Sequence, residues 1–173
     1  MPAPSREEAL TILEDGQGQL QALFSRLSDD ELTRPSTIGG GDWSAKDLLG
    51  HVAFVEEIAL VTAEAWLRGE RPPIAQTFTA GDTDAQNAWN QERKGAWPLD
   101  RVWEDSDAKH ERLVATLGAM TQQEWASPRP FEGNEPEQLG AELGGVLGAP
   151  GRPFGHAFAH LPDLEAYARS LGR

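Results

Sequence analysis

Apolar residues recur along this chain at intervals of three and four, the signature of helices that bury one face. Leu10, Leu13, Leu20, Phe24 and Leu27 form one stripe and predict a first helix over about residues 5–27. Ser5-Arg6-Glu7-Glu8 reads as its capping box. Gly16 and Gly18 each weaken it by about 1 kcal/mol relative to alanine, so close packing against a neighbour is the reason expected for them. Ser28-Asp29-Asp30-Glu31 reads as a stop followed by a short turn, and Pro35 to Gly41 as a loop. Leu48, Val52, Val55, Ile58 and Thr62 carry a second helix from about Ser44 to Leu67, ended by Gly69 and Pro72-Pro73. Ser44 is its expected N-cap, Asp47 the acidic partner of the cap, and Trp43 a staple onto Leu48. His51 shares the inward face, three residues after Leu48 and four before Val55.

Arg71 to Gly81 has little periodicity and reads as a connection able to form part of a pocket wall. A polar helical region follows, capped by Asp82 or Thr83 and interrupted near Gly95 and Pro98. Leu99, Val102, Trp103, Leu113, Val114 and Leu117 then resume the pattern. His110 falls on this stripe among Lys109, Glu111 and Arg112, so a boundary or surface position is expected for it. Pro136 to Leu147 reads as a short helix, Gly148 to Pro153 as a loop, and about 153–171 as a last helix. In that helix Pro153 takes the first position and Pro162 is expected to kink the chain beside His160. Strand signals are poor throughout. The elements predict an all-α fold, four main helices packed as a bundle, in one domain over 1–173.

Composition narrows the function classes. The 173 residues are 39% hydrophobic and 25% charged, ordinary for a globular protein. Fifteen Lys and Arg against 28 Asp and Glu leave a net charge of −13, which disfavours nucleic acid as a partner. No apolar run is long enough to span a membrane and the first residues lack a signal-peptide pattern, so a cytoplasmic location is expected. A homodimer is left open. With no cysteine, any thiol chemistry needs a small-molecule thiol.

Three of the four histidines carry the candidate chemistry. His156 and His160 stand one helical turn apart on one face, a common way for a helix to present two nitrogens to a metal. A lone inward histidine is more often a hydrogen-bonded core group. An inward His51 on a second capped helix turns the pair into a candidate three-histidine metal site.

The stretch Trp43-Ser44-Ala45-Lys46-Asp47-Leu48-Leu49-Gly50-His51 resembles the start of helix two in the DinB-like superfamily. Asp84-Ala85-Gln86-Asn87 and the closing His156-x-x-x-His160 are similar to the branch containing mycothiol-dependent maleylpyruvate isomerases. That branch often has Glu where His156 stands, so three histidines fit the general DinB-like pattern better. The resemblance implies an up-down-down-up four-helix bundle holding a divalent metal on His51, His156 and His160. It also implies a low-molecular-weight thiol, such as mycothiol or bacillithiol, with Asn87 and Arg93 orienting thiol or substrate. Imidazole donors favour zinc or nickel over magnesium or calcium. The function implied is a thiol-dependent S-transferase or isomerase acting on a small electrophile. Water in place of thiol would make the same site a hydrolase. ClbS-like bundle proteins share a similar Trp-Ser-x-Lys-Asp-Leu start and suggest the rival, a non-catalytic bundle that sequesters a toxic compound. On that reading the histidines are core groups and Trp43, Trp89 and Trp97 line an apolar cavity.

Overall fold

The structure is a computed structural model that describes residues 4–70, 82–128 and 138–173. The expected connection from Arg71 to Gly81, and the start of the predicted helix at Pro136, lie outside them. Eight helices occur among the described residues, with no strand beyond an isolated bridge between Ala149 and Arg152. They are α1 (Arg6–Phe24), α2 (Asp29–Leu32), α3 (Ala45–Arg68), α4 (Thr83–Lys94), α5 (Leu99–Ala119), α6 (Gln122–Ala126), α7 (Leu139–Val146) and α8 (His156–Ser170).

Local chemistry starts α1 and α3 where the pattern says it should. Ser5 and Ser44 each accept from the backbone N–H three residues on, while Glu8 and Asp47 accept from the cap N–H in return. Aspartate is therefore long enough to close the box at α3. Gly69, at φ 75°, ends that helix in the left-handed conformation glycine tolerates best. Two short helices escape the periodicity argument. Ser28 and Thr121 build capping boxes for α2 and α6, each too short to show an apolar stripe. The turn expected at Ser28–Glu31 is thus the start of a helix.

The long helices α1, α3, α5 and α8 form the bundle, and their contacts fix its directions. Arg6 at the start of α1 donates to the carbonyls of Gly118 and Met120 at the end of α5, and Gln21 reaches Asp107 near the other end. Those two helices are antiparallel. Lys46 meets the Trp97 carbonyl, Glu57 meets Lys109 and Glu64 meets Arg112, so α3 and α5 run parallel. Gly16 lies against Ala157, and Tyr167 donates to the Glu31 carbonyl, so α8 runs with α1. The order is up-down-down-up.

Two apolar clusters fill the interior. One gathers Leu13, Ala59, Trp66, Leu113, Leu117 and Phe154. The other gathers Leu20, Phe24, Leu48, Val52, Val102 and Leu164. Truncating a fully buried leucine such as Leu113 to alanine is worth about 2–5 kcal/mol at such positions. His51 on α3 sits between Leu48 and Val55, and His156 and His160 on α8 sit between Phe154 and Leu164. The three histidines therefore occupy the level where the two clusters meet.

The last helix begins later than the apolar pattern predicts. Phe154 has φ 58°, which a helix cannot continue through, so α8 starts at His156 instead of Pro153. Its ring is buried, stacks on Trp125 at 5.9 Å and packs over Gly144, and this burial holds the left-handed backbone in place. Pro162 lies inside α8, which nevertheless runs on to Ser170.

The two glycines of α1 differ in kind. A Cβ on Gly16 would approach Ala157 Cβ and the Phe158 ring at 3.0 Å, whereas one on Gly18 would meet nothing within 4 Å. Gly18→Ala is expected to stabilise the protein by up to about 1 kcal/mol through helix propensity. Gly16→Ala should lose that gain by pressing α1 off α8. Parallel urea titrations of the two variants check this, and equal stabilisation would show that Gly16 is not a contact glycine.

Candidate metal centre

Two helices present the three histidines. The Ser44–Asp47 cap fixes the rotation of α3, and His51, two turns in, is buried at 6% exposure. On α8, His156 is the first helical residue and His160 follows one turn later. The backbone N–H of His156 donates to the Leu147 carbonyl at 2.8 Å, tying the entry of α8 to the end of α7.

The three Nε2 atoms converge. His156 Nε2 lies 3.1 Å from His51 Nε2 and 3.2 Å from His160 Nε2, and one ligand nitrogen from each ring falls within 4.8 Å of the others. A neutral imidazole nitrogen carries either one proton or one in-plane lone pair. His156 Nε2 can thus make only one well-directed hydrogen bond, yet it faces two nitrogens. Turning all three lone pairs toward one cation removes that conflict. Zn–N distances of 2.0–2.1 Å in a tetrahedron place neighbouring donors about 3.3–3.4 Å apart, within a few tenths of an ångström of the two separations from His156. The residues fit a divalent transition metal, and the all-nitrogen donor set is unsuited to calcium or magnesium.

The surroundings hold the rings neutral. Burial, then the neighbouring charges that His156 and His160 would carry, push His51 down to about 3, against a small opposing effect of Asn87. Burial and His160 bring His156 down to about 4, while the Gly148 carbonyl beside its ring works the other way. His160 is lowered by burial, and the nearby Asp163 partly offsets it. Neutral rings at neutral pH are the form that binds a metal.

The other sequence-derived candidates are placed as follows. Asn87 on α4 lies beside the His51 ring, although His51 Nδ1 makes no well-directed hydrogen bond and is buried. Arg93 is turned to Glu57, with bonds of 3.2 and 2.7 Å, and stacks over Trp89 at 4.3 Å. His110 stands apart from the trio, partly buried, its Nδ1 2.9 Å from Glu56 Oε1. This is the boundary position expected from its charged neighbours. Trp43 packs on the cluster containing Leu48, as a staple should, and its ring also lies 5.1 Å from that of His51. The second contact had no signal in the spacing, because Trp43 precedes the helix. Trp89 sits at the surface against Phe54, and Trp97 stacks beneath Arg101.

Residues 12–148 match the DinB superfamily. No curated protein matches the sequence. The fold recurs in solved structures, among them the following three. An uncharacterised protein from Escherichia coli UTI89 superposes with a TM-score of 0.77 at 11% identity, over 98% of this chain and 96% of its own. A mycothiol-dependent maleylpyruvate isomerase gives 0.66 at 16% identity, over 95% of this chain and only 61% of the isomerase. The colibactin self-resistance protein ClbS, solved with double-stranded DNA, gives 0.64 at 12% identity, over 99% and 96%.

The histidines should titrate in opposite directions. In metal-free protein, His51 and His156 are expected to stay neutral at pH 5.5, whereas His110 should be an imidazolium. Burial lowers His110, but the Glu56 carboxylate, with Glu14 and Asp107 nearby, outweighs it and the net shift is upward from 6.5. Unfolding lets His51 and His156 take up protons near their ordinary 6.5, so their contribution to stability is lost as pH falls from there toward about 3–4. That of His110 is complete below 6.5 and lost as pH rises through its raised folded value. Nitrogen-15 chemical shifts of the rings read these states directly. An imidazolium at His51 or His156 at pH 5.5 would contradict the burial argument.

Proposed function

The chain belongs to the DinB superfamily, and we propose that it is a metal-dependent enzyme joining a low-molecular-weight thiol to a small electrophile, or isomerising the electrophile through such an adduct. His51, His156 and His160 hold the ion, zinc or nickel, in this reading. The convergence of three Nε2 atoms, from a buried His51 and half-buried His156 and His160, is the observation that carries it. Three protein donors are the number typical of catalytic rather than closed structural sites. A bound divalent cation supplies Lewis acidity there, lowering the pKa of a thiol or water at the position the protein leaves open.

The chain's own residues provide the rest. Partial burial lowers the basicity of the imidazoles and keeps their lone pairs available. The Trp43 ring forms an apolar wall against His51, and Asn87 offers an amide beside the same ring. Arg93 positions α4, which carries Asn87, through its paired bonds to Glu57. No cysteine is present, so the sulfur must come from solution. The structurally similar isomerase uses mycothiol, which makes mycothiol the first thiol to test, with bacillithiol next. ClbS was solved on DNA, but a net charge of −13 gives this chain little to offer phosphates, and a small molecule is the proposed partner.

Protein purified without a histidine tag is expected to take up about one zinc or nickel per chain. His160→Ala should lose most of it, and His110→Gln should keep it. Elemental analysis after metal resupply decides the point, and equal loss in the two variants would mean that the ligand set is wrong. Thiol consumption with a panel of electrophiles then separates transfer from hydrolysis, since a hydrolase turns over with no thiol added.

A further inference from the structure

A buried imidazole commits both of its nitrogens. If Nε2 offers its lone pair to a cation, the ring proton sits on Nδ1, and that N–H needs an acceptor of its own. The trio meets this demand unevenly. His156 has the Gly148 carbonyl, in the loop that leads into α8, beside its ring. His160 has the Asp163 carboxylate nearby. His51 is the least exposed of the three, and its Nδ1 is shut off from solvent with no well-directed partner among the described residues. The polar side chain set beside this ring is that of Asn87, itself half-buried.

The packing of α4 on α3 brings that amide to the ring. Gln91 donates to Asp47 Oδ1 at 3.1 Å, within the box that starts α3. Asn90, only 4% exposed, donates to the Gly50 carbonyl at 3.4 Å, one residue before His51. The Trp89 ring lies 5.6 Å from that of Phe54, and Arg93 closes on Glu57. These residues of α4 register on α3 from Asp47 to Glu57, on both sides of His51 in sequence. Asn87 precedes Asn90 by three residues and shares the face that meets Gly50. Two acceptors then compete for the His51 proton. His156 Nε2, 3.1 Å away, draws it to Nε2, where it would block a cation. An amide oxygen beside Nδ1 selects the tautomer that leaves Nε2 free. The amide nitrogen in the same place would do the opposite, because it only donates.

We infer that Asn87 is a positioning residue for the three-histidine centre: its Oδ1 accepts the Nδ1 proton of His51 and so keeps the Nε2 lone pair turned to the cation. This rests on the metal reading above and gives Asn87 a task other than holding thiol or substrate. The full, tag-free, metal-free chain is compared as wild type, Asn87→Leu and Asn87→Asp, with ring tautomers read at neutral pH by long-range proton–nitrogen-15 NMR. In the wild type His51 should carry its proton on Nδ1. Asn87→Leu should move it to Nε2, donated to His156, whereas Asn87→Asp, which keeps an acceptor oxygen, should hold it on Nδ1. His156, with Gly148 beside it, should keep one tautomer throughout, and a change there as large as at His51 would show a merely structural role and overturn the assignment. Zinc affinity, measured by competition with a chelator, should fall about 10- to 100-fold in Asn87→Leu and be kept in Asn87→Asp. A residue that only held thiol or substrate would leave both readouts unmoved, and that result would overturn the inference. So would a wild-type His51 with its proton on Nε2, a measurement that decides the matter even if Asn87→Leu does not fold. If the wild type takes up no zinc, the metal reading fails, while the tautomers of the metal-free chain still decide the role of Asn87.

Discussion

Three imidazoles forced face to face inside a helical bundle set the terms for the rest of the structure. Their nitrogens cannot all satisfy one another, and His51 is buried away from water, so the arrangement survives only if the elements carrying them are held firmly. The Ser44–Asp47 box and the Trp43 staple fix α3 two turns before His51. The left-handed backbone at Phe154, anchored by its buried ring, starts α8 with His156 at its first position. Contact of Gly16 with Ala157 and Phe158 brings α1 directly against the turn of α8 that joins the two histidines. Each feature is local, and together they aim three side chains from two helices at one point.

A second polar layer lies beside this one and works differently. Glu57 receives Arg93, Lys94 and Lys109, and Asp105 receives the two lysines again. Burial alone would raise the Glu57 carboxyl, but the hydrogen bonds of Arg93 and Lys109 and the lysine charges carry it down to about 2. These pairs join α4 to α3 and α5 and keep Asn87 beside His51. They also engage both cations of α4, Arg93 and Lys94. Removing one member would leave its partners desolvated without a countercharge, a strongly unfavourable change. The network thus fixes the position of α4.

Most of the fold is legible in the sequence because capping and the apolar period act locally. The Ser5 and Ser44 boxes, the inward face of His51 and the break between α4 and α5 at Gly95–Pro98 all follow from a few adjacent residues. The histidine trio is legible for the same reason, since His156 and His160 are one turn apart. What the sequence hides depends on tertiary contact. Phe154 resembles another apolar position of a helix, and only the pocket formed by Trp125 and Gly144 explains its left-handed backbone and the later start of α8. The pairing of Arg93 with Glu57 joins residues 36 positions apart, so its engagement is invisible to periodicity. Gly16 and Gly18 read alike until a neighbour is seen against one of them.

The central claim is that His51, His156 and His160 form one coordination site. X-ray absorption spectroscopy at the zinc edge, on tag-free protein loaded to one equivalent, tests it most directly. The account predicts three nitrogen donors near 2.0–2.1 Å with the outer-shell scattering of three imidazole rings. A first shell of oxygen donors, or of fewer than two imidazoles, would contradict it.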